Sequence, residues 1–228
     1  METEPSTPRA GPARHRRLPP WLPAVALPAV ALAVVCALTL TRGHALAGPG
    51  RTSLPVLGEI PSFSMIDQRG RQVTGASLRG QVLIVDFFYA QCPTSCPRLS
   101  AQMAAFQARL ASSGPQLPVH LVSITLDPEN DTEVLRDYAD RFHADDARWS
   151  FLEGRSEELD RLVVKGFKLA FERIDPSAGL GAIMHGEWFV LVDRGGRIRG
   201  YYQISDEERM SELYRDAARL ADEGGAGT

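Results

Sequence analysis

Cysteine is scarce in this chain, with Cys36, Cys92 and Cys96 the only three among 228 residues. Basic clusters are lacking beyond residue 42, because five of the 25 basic but only two of the 28 acidic residues lie within residues 1–42. The remainder has 20 basic and 26 acidic residues and a formal net charge of −6. An acidic domain without basic clusters is not suited to binding nucleic acid. No internal repeat is apparent, and the length allows one sizeable domain with appendages.

Charge is absent from residues 21–41, which supply about the 20 apolar residues that a bilayer-spanning helix requires. Four arginines among residues 9–17 precede this segment, and the positive-inside rule keeps them cytoplasmic. We therefore expect a single-pass protein of a bacterial inner membrane whose C-terminal domain faces the periplasm. Signal-peptidase cleavage after the residues Ala45-Leu46-Ala47 is the alternative. Cys36 is interpreted as an apolar residue of the membrane segment.

Composition also predicts the domain boundaries. In chain order we expect a disordered cytoplasmic tail at 1–20, a transmembrane anchor or uncleaved signal at 21–41, a linker at 42–58, a folded domain at 59–222 and a disordered tail at 223–228.

Hydrophobic patterning predicts the fold of that domain. Strands are predicted at 82–89, 119–126 and 149–152, each followed by a helical pattern, and a hairpin of strands at 188–192 and 198–203 precedes a last helix at about 206–221. Ser156 is predicted to cap the N-terminus of the third helix. This order is that of thioredoxin, and it predicts an α/β sandwich with a central mixed sheet flanked by helices.

Cys92 and Cys96 lie where the first of these strands gives way to a helix, separated by three residues. A helix N-terminus lowers the pKa of nearby thiols, so we expect both sulfurs to ionise, oxidise or bind metal more readily than ordinary cysteines. In an exported domain a merely structural disulfide is the alternative.

Three motifs together resemble the SCO/SenC family. They are the strand with Cys-Pro-Thr-Ser-Cys-Pro at 80–97, the segment Thr-Leu-Asp-Pro-Glu-Asn-Asp-Thr at 125–132, and Met-His-Gly at 184–186 ahead of Phe-Val-Leu-Val-Asp at 189–193. The resemblance covers about residues 57–220. It implies a membrane-anchored, thioredoxin-fold, copper-binding protein that assists assembly of the CuA centre of cytochrome c oxidase. The copper-bearing subunit of the oxidase is then the expected partner, with other copper chaperones and a thioredoxin-like reductant as further partners.

Carried over by position, the resemblance places the copper ligands at Cys92, Cys96 and His185. The chemistry of these residues agrees, because thiolates favour copper over hard cations and imidazole suits both Cu(I) and Cu(II). Asp127 closes a strand at the same predicted edge, and it is interpreted either as part of a helix-initiating turn or as a carboxylate that orients His185 or a partner. The leading hypothesis is thus a chaperone that binds copper through a reduced Cys2His site and releases it when the cysteines form a disulfide. Ligand exchange would pass the ion to a subunit of the oxidase.

Asp86 supports an alternative function. It lies six residues before Cys92, as the buried aspartate of thioredoxins lies before the nucleophilic cysteine, and burial would raise its pKa and suit it to general-base work. The alternative is a thiol-disulfide reductase that maintains the copper-ligand cysteines of the oxidase through the redox pair Cys92 and Cys96. The wider cysteine spacing and the lack of a proline immediately before Trp188 depart from thioredoxin and favour copper binding.

Overall fold

The computed structural model describes residues 53–93, 95–112, 117–173 and 183–223. The described residues from Leu54 onward belong to one compact unit. The predicted tail at 1–20 and the predicted membrane segment at 21–41 lie outside the described residues. Within the described ranges, no helix has both the length and the apolar character needed to cross a bilayer.

Strands and helices alternate through the described part of the chain. The strands are β1 Gly58–Glu59, β2 Ser64–Asp67, β3 Gln72–Thr74, β4 Val82–Phe88, β5 Val119–Thr125, β6 Trp149–Glu153, β7 Phe171–Arg173, β8 Ile183–His185, β9 Trp188–Val192 and β10 Arg197–Gln203. The helices are α1 Ser95–Ser112, α2 Pro128–Asp131, α3 Leu135–Arg141, α4 Ser156–Asp160 and α5 Glu207–Glu223, and a π-helix occupies Arg161–Gly166.

One mixed sheet contains eight of these strands in the order β1-β10-β9-β4-β5-β6-β2-β3. Strand β5 runs parallel to both β4 and β6, whereas β9 pairs antiparallel with β4 and β10 completes the hairpin. Every residue of β4 and β5 is buried, as expected for central parallel strands that are covered on both faces. The arrangement confirms the predicted thioredoxin-like α/β fold with a central mixed sheet.

Helix α1 follows β4 and packs one face on this sheet. Leu99, Met103, Phe106 and Leu110 recur at helical spacing and are buried. The ring of Phe106 meets that of Phe189 in β9 edge-on, with centroids 5.7 Å apart. Burial of each such side chain contributes about 1.5–3 kcal/mol to folding, so this stripe holds the N-terminal turn of α1 against the end of β4.

The prediction that Ser156 caps a regular third helix is wrong. Arg155 is the N-cap residue, without a side-chain capping hydrogen bond, and α4 ends after five residues. The chain continues as the π-helix, in which Phe167 N–H donates to the carbonyl of Leu162 at 2.8 Å. The wider turn allows Leu162, Val163 and Phe167 all to be buried, which helical spacing alone does not reveal.

Candidate metal centre

The two thiols meet at the end of β4. The N–H of Cys92 donates to the carbonyl of Tyr89 at 3.2 Å, which turns the chain toward α1. Cys96 is the second residue of α1, and its N–H donates to the Sγ of Cys92 at 3.4 Å. The Sγ of Cys92 also lies 3.7 Å from the Oγ of Ser95. Both cysteines are thiols and both are buried, so the local chain path brings the predicted pair together.

Burial distinguishes the two sulfurs. Cys96 is fully buried, whereas 7% of Cys92 remains exposed. Burial raises the pKa of the Cys96 thiol far above its usual range; the neighbouring Cys92 and Asp86 add to the rise, and a backbone hydrogen bond at Tyr89 opposes it. The expectation that both thiols ionise readily is therefore wrong for Cys96, because the loss of water outweighs the helix dipole. Cys92 is the more accessible sulfur.

Asp86 lies in the centre of β4, opposite Ser123 of β5, and is fully buried. Burial raises the pKa of its carboxyl group to about 7, although the Ser123 hydroxyl and the Asp86 backbone amide oppose the shift. Neither carboxyl oxygen has a partner in good hydrogen-bonding geometry within the described ranges. The Ser123 hydroxyl is itself engaged by Trp149 Nε1 at 2.9 Å. This carboxyl group therefore keeps its proton up to about neutral pH.

The loop that contains Asp127 reaches the same edge of the sheet as the thiols, since Leu126 N–H donates to the carbonyl of Phe88 at 2.8 Å. Both carboxylate oxygens of Asp127 accept from Asn130 Nδ2 at 2.9 Å. The Asp127 carbonyl also accepts from the backbone N–H groups of Asn130 and Asp131. The Asp127 carboxylate is thus engaged within the turn that begins α2.

Asp131 belongs to the 125–132 motif but was not predicted as a site residue. Its carboxylate accepts the N–H of Ala90 at 2.9 Å and a short hydrogen bond from the Thr125 hydroxyl, and the residue is buried. Burial raises its pKa, while these two hydrogen bonds act in the opposite direction. Ala90 lies two residues before Cys92, in the segment between β4 and α1 that is called the thiol loop below. Asp131 therefore holds the thiol loop to the end of β5. Its place in the 125–132 motif was the available signal.

His185 is the last residue of β8, which pairs with β7 in a two-stranded ribbon and places Phe171 opposite His185. Three residues later the chain enters β9 at Trp188, and the N-terminal end of β9 lies beside the C-terminal end of β4 because the strands are antiparallel. The His185 side chain lies outside what the structure describes. Among the described side chains, no three His, Cys, Asp or Glu residues cluster as a metal site. The described residues therefore supply two of the three predicted ligands.

An apolar cavity borders the turn after His185. Its volume is about 270 Å³, and Gly186 and Trp188 form part of its wall together with Phe87 and Leu126. A larger surface cavity of about 610 Å³ lies beside Glu153 and Glu158 and contains neither thiol. Neither thiol lines either cavity, and the smaller one borders the turn between β8 and β9.

Two buried thiols at a strand-to-helix turn, on a thioredoxin-like sheet, define a class of proteins whose cysteine pair handles electrons or soft metal ions. Comparison with known families narrows that class. The SCO1/SenC family model matches residues 56–222, and the chain belongs to this family.

Individual relatives agree with this membership. The SCO1 protein homolog of Bacillus subtilis is 30% identical over 164 residues, which cover 71% of this chain and 82% of the relative. A Stutzerimonas stutzeri protein named as copper-binding is 30% identical, with coverage of 75% and 83%. The structure of BsSco, described as a member of the Sco family of cytochrome c oxidase assembly proteins with a disulfide switch, has a TM-score of 0.64 at 27% identity and covers 74% of this chain and 97% of that one.

Proposed function

We propose that this protein is a membrane-tethered copper chaperone that carries one copper ion on Cys92, Cys96 and His185. Its recipient is the copper-bearing subunit of cytochrome c oxidase. The observation that supports the proposal is the contact between the Cys96 N–H and the Cys92 sulfur, which brings two thiols, both soft donors, together on one turn. The S. stutzeri relative is named as a copper-binding protein, which supports copper as the bound ion. BsSco is described as a member of a family of cytochrome c oxidase assembly proteins, which supports the oxidase as the recipient.

Copper uptake in this proposal is coupled to proton release. The ligands are thiolates, so each thiol must lose its proton when the ion binds. Cys92 is the more exposed sulfur and is the first to meet the ion, whereas Cys96 ionises only as the metal replaces its proton, because burial raises its pKa. Copper binding should therefore tighten as the pH rises.

Transfer to the oxidase is a ligand exchange. Thiols of the recipient lose protons as they bind the ion, and Cys92 and Cys96 regain protons as they release it, so the exchange needs no change in oxidation state. The proposed anchor at residues 21–41 keeps the domain near the membrane and on its periplasmic side.

Asp86 favours a second candidate function, a thiol-disulfide reductase that acts on the copper-ligand cysteines of the oxidase. The Cys92 thiolate would attack a disulfide of the recipient, form a mixed disulfide and release one recipient thiolate. Cys96, as it loses its proton, would then attack the Cys92 sulfur, break the mixed disulfide and release the second recipient thiolate. Two electrons and two protons pass to the recipient, and Cys92 and Cys96 become a disulfide. A buried carboxyl group with a pKa of about 7 is suited to take the Cys96 proton.

Titration of the reduced full-length protein with Cu(I), against a competing chelator, tests the chaperone proposal. We expect one tightly bound ion in the parent, loss of that ion in Cys92→Ser and Cys96→Ser, and at least a tenfold weaker affinity in His185→Ala, about 1.4 kcal/mol or more. His143→Asn is the matched control, because His143 is exposed and has a φ of 54° that asparagine tolerates.

Reduction of a disulfide peptide that contains the oxidase ligand cysteines separates the two functions. His185→Ala should weaken copper binding while leaving this reduction intact, and the cysteine variants should abolish both. Stoichiometric copper binding without Cys92 or Cys96 would refute the chaperone assignment. Weak copper binding that ignores His185, together with efficient peptide reduction, would establish the reductase instead.

A further inference from the structure

We propose that the ion pair between Arg98 and Glu187 positions the turn after His185 against α1, the helix that contains Cys96 and is called the thiol helix below. The ion pair thereby sets the fraction of the protein that is ready to bind copper. The inference rests on the proposed function, because it concerns the same site. Arg98 and Glu187 are positioning residues in this proposal, and neither is a ligand.

The pair joins the two segments that carry different proposed ligands. Arg98 lies in the first turn of α1, two residues after Cys96, and Glu187 lies two residues after His185. Arg98 Nη2 forms a short, charged hydrogen bond to Glu187 Oε2 across 89 residues of sequence. Among the described residues, this ion pair links the thiol helix to the turn that follows β8.

Both ends of this bridge are rooted in the fold. The Glu187 carbonyl accepts the N–H of Ile204 at 3.1 Å, at the end of β10. The preceding residue, Gly186, is exposed, but a Cβ added there would lie 2.5 Å from the indole of Trp188, so this close approach favours glycine. On the other side, Cys96 and Leu99 flank Arg98 and are fully buried. The ion pair therefore joins the first turn of α1 to the residue that precedes β9.

The β7–β8 ribbon depends on such a connection. In the described part of the chain its strands pair with each other and are not members of the eight-stranded sheet. Contacts at its ends therefore determine how closely His185 approaches the thiols. Loss of one contact lowers the population of the binding-competent arrangement, and the apparent affinity falls in proportion.

A contribution to the free energy of global unfolding does not account for the ion pair between Arg98 and Glu187. The side chains of Arg98 and Glu187 are 57% and 28% exposed, and exposed ion pairs contribute little to the free energy of unfolding. An energy of this size is significant for the local equilibrium between the binding-competent arrangement of the turn after His185 and its other arrangements. It corresponds to a change of about two- to fivefold in the competent fraction.

Charge reversal in the full-length protein tests this inference. The variants are Arg98→Glu, Glu187→Arg and the double exchange, which restores an ion pair of opposite polarity. The first measurement is amide hydrogen exchange over residues 183–188 in the reduced, metal-free protein. The second is Cu(I) affinity by competition. Each single variant should speed exchange and weaken Cu(I) binding by about two- to fivefold, and the double variant should return both close to the parent.

A second ion pair provides the control. Arg79 and Glu59 are also an exposed pair between separate segments, at 3.4 Å, and neither belongs to the metal centre. Arg79→Glu and Glu59→Arg should leave exchange at 183–188 and Cu(I) affinity unchanged.

Three results would overturn the positioning role. They are unchanged exchange and affinity in both single variants, weaker Cu(I) binding without faster exchange, which would indicate a direct effect of charge on the ion, and a double variant that fails to recover. Absence of Cu(I) binding by the parent would count against the proposed function alone, because the metal-free exchange measurement still reports whether the pair holds the turn.

Discussion

The carboxyl group of Asp86 is fully buried and has no access to solvent. Its central position in β4 leaves both oxygens without a well-formed hydrogen bond among the described groups, and burial raises its pKa to about 7. Below about pH 4 the group is protonated in both the folded and the unfolded protein. Between pH 4 and pH 7 the unfolded chain has lost this proton and the folded protein has kept it, so stability falls as the pH rises through this window. The loss amounts to roughly 4 kcal/mol and levels off above pH 7.

Asp86→Asn should remove this penalty. At pH 8 we expect the variant to be more stable than the parent by a few kcal/mol, and near pH 4 we expect the two to be similar. Urea unfolding of the reduced protein between pH 4 and pH 8 measures the difference. The comparison must be between variants, because burial lowers the pKa of His120 to about 4 and the contribution of that residue falls as the pH decreases.

Asp137→Asn is the control for Asp86, since Asp137 is exposed on α3. It should change the unfolding free energy by less than about 0.5 kcal/mol at every pH. A parent whose stability does not decline between pH 4 and pH 7 relative to Asp86→Asn would contradict the raised pKa.

Contacts with β4, β5 and α2 position the thiol loop, in addition to the local turn within its own sequence. Strand β4 ends at Phe88, and the carboxylate of Asp131 in α2 then holds the N–H of Ala90. The same carboxylate holds the Thr125 hydroxyl at the end of β5. Two adjacent parallel strands and a short helix thereby meet at one buried carboxylate just before Cys92.

Asp131→Ala should lower the unfolding free energy by about 1–3 kcal/mol, because it leaves the part-buried N–H of Ala90 and the buried hydroxyl of Thr125 without their acceptor. Asp131→Asn keeps one acceptor oxygen and should lose less. Hydrogen exchange at Ala90 and Cys92 should quicken in the alanine variant before the protein unfolds globally. Asn130→Ala alters the exposed neighbour and should leave exchange in the thiol loop unaffected; equal effects of the two alanine variants would argue against a specific role for Asp131.

At the scale of the whole molecule, Arg199 joins the first described residues to the hairpin that closes the sheet. Its guanidinium donates to the carbonyls of Leu54 and Pro55 and to Asp193 Oδ2, the last at 2.8 Å. Arg199 is buried, with a side-chain exposure of 7%. The segment from Leu54 that leads into β1 is therefore part of the folded unit.

Arg199→Met should destabilise the protein by about 3 kcal/mol, since it removes one partner of a buried ion pair and leaves two backbone carbonyls without a donor. Arg197 offers a matched control, because its Nε also lies 2.8 Å from Asp193 Oδ2 while its side chain is 54% exposed. Arg197→Met should cost no more than about 1 kcal/mol. Urea unfolding measures both, and similar losses in the two variants would show that burial of Arg199 is unimportant.

Local patterns in the sequence were enough to predict the framework of this protein. The apolar runs that became β4 and β5, the stripe from Leu99 to Leu110 and the Asp193 turn each depend on neighbouring residues, and their identities persist in the structure. The spacing of Cys92 and Cys96 has the same origin, since the turn between a strand and a helix brings residues four apart into contact. The family resemblance combined such local motifs, and the family model match bears it out.

Only the tertiary structure decided how deeply the functional groups are buried and which distant residues they contact. A helix dipole acts over about one turn and is read from the sequence, whereas the pKa of Cys96 is governed by burial, which depends on every element packed around it. The contact from Asp131 to Ala90 spans 41 residues and the bridge from Arg98 to Glu187 spans 89, so no local pattern announces either one. The sequence by itself therefore determined which groups are candidates for the chemistry, and the fold decided their solvation and their distant partners.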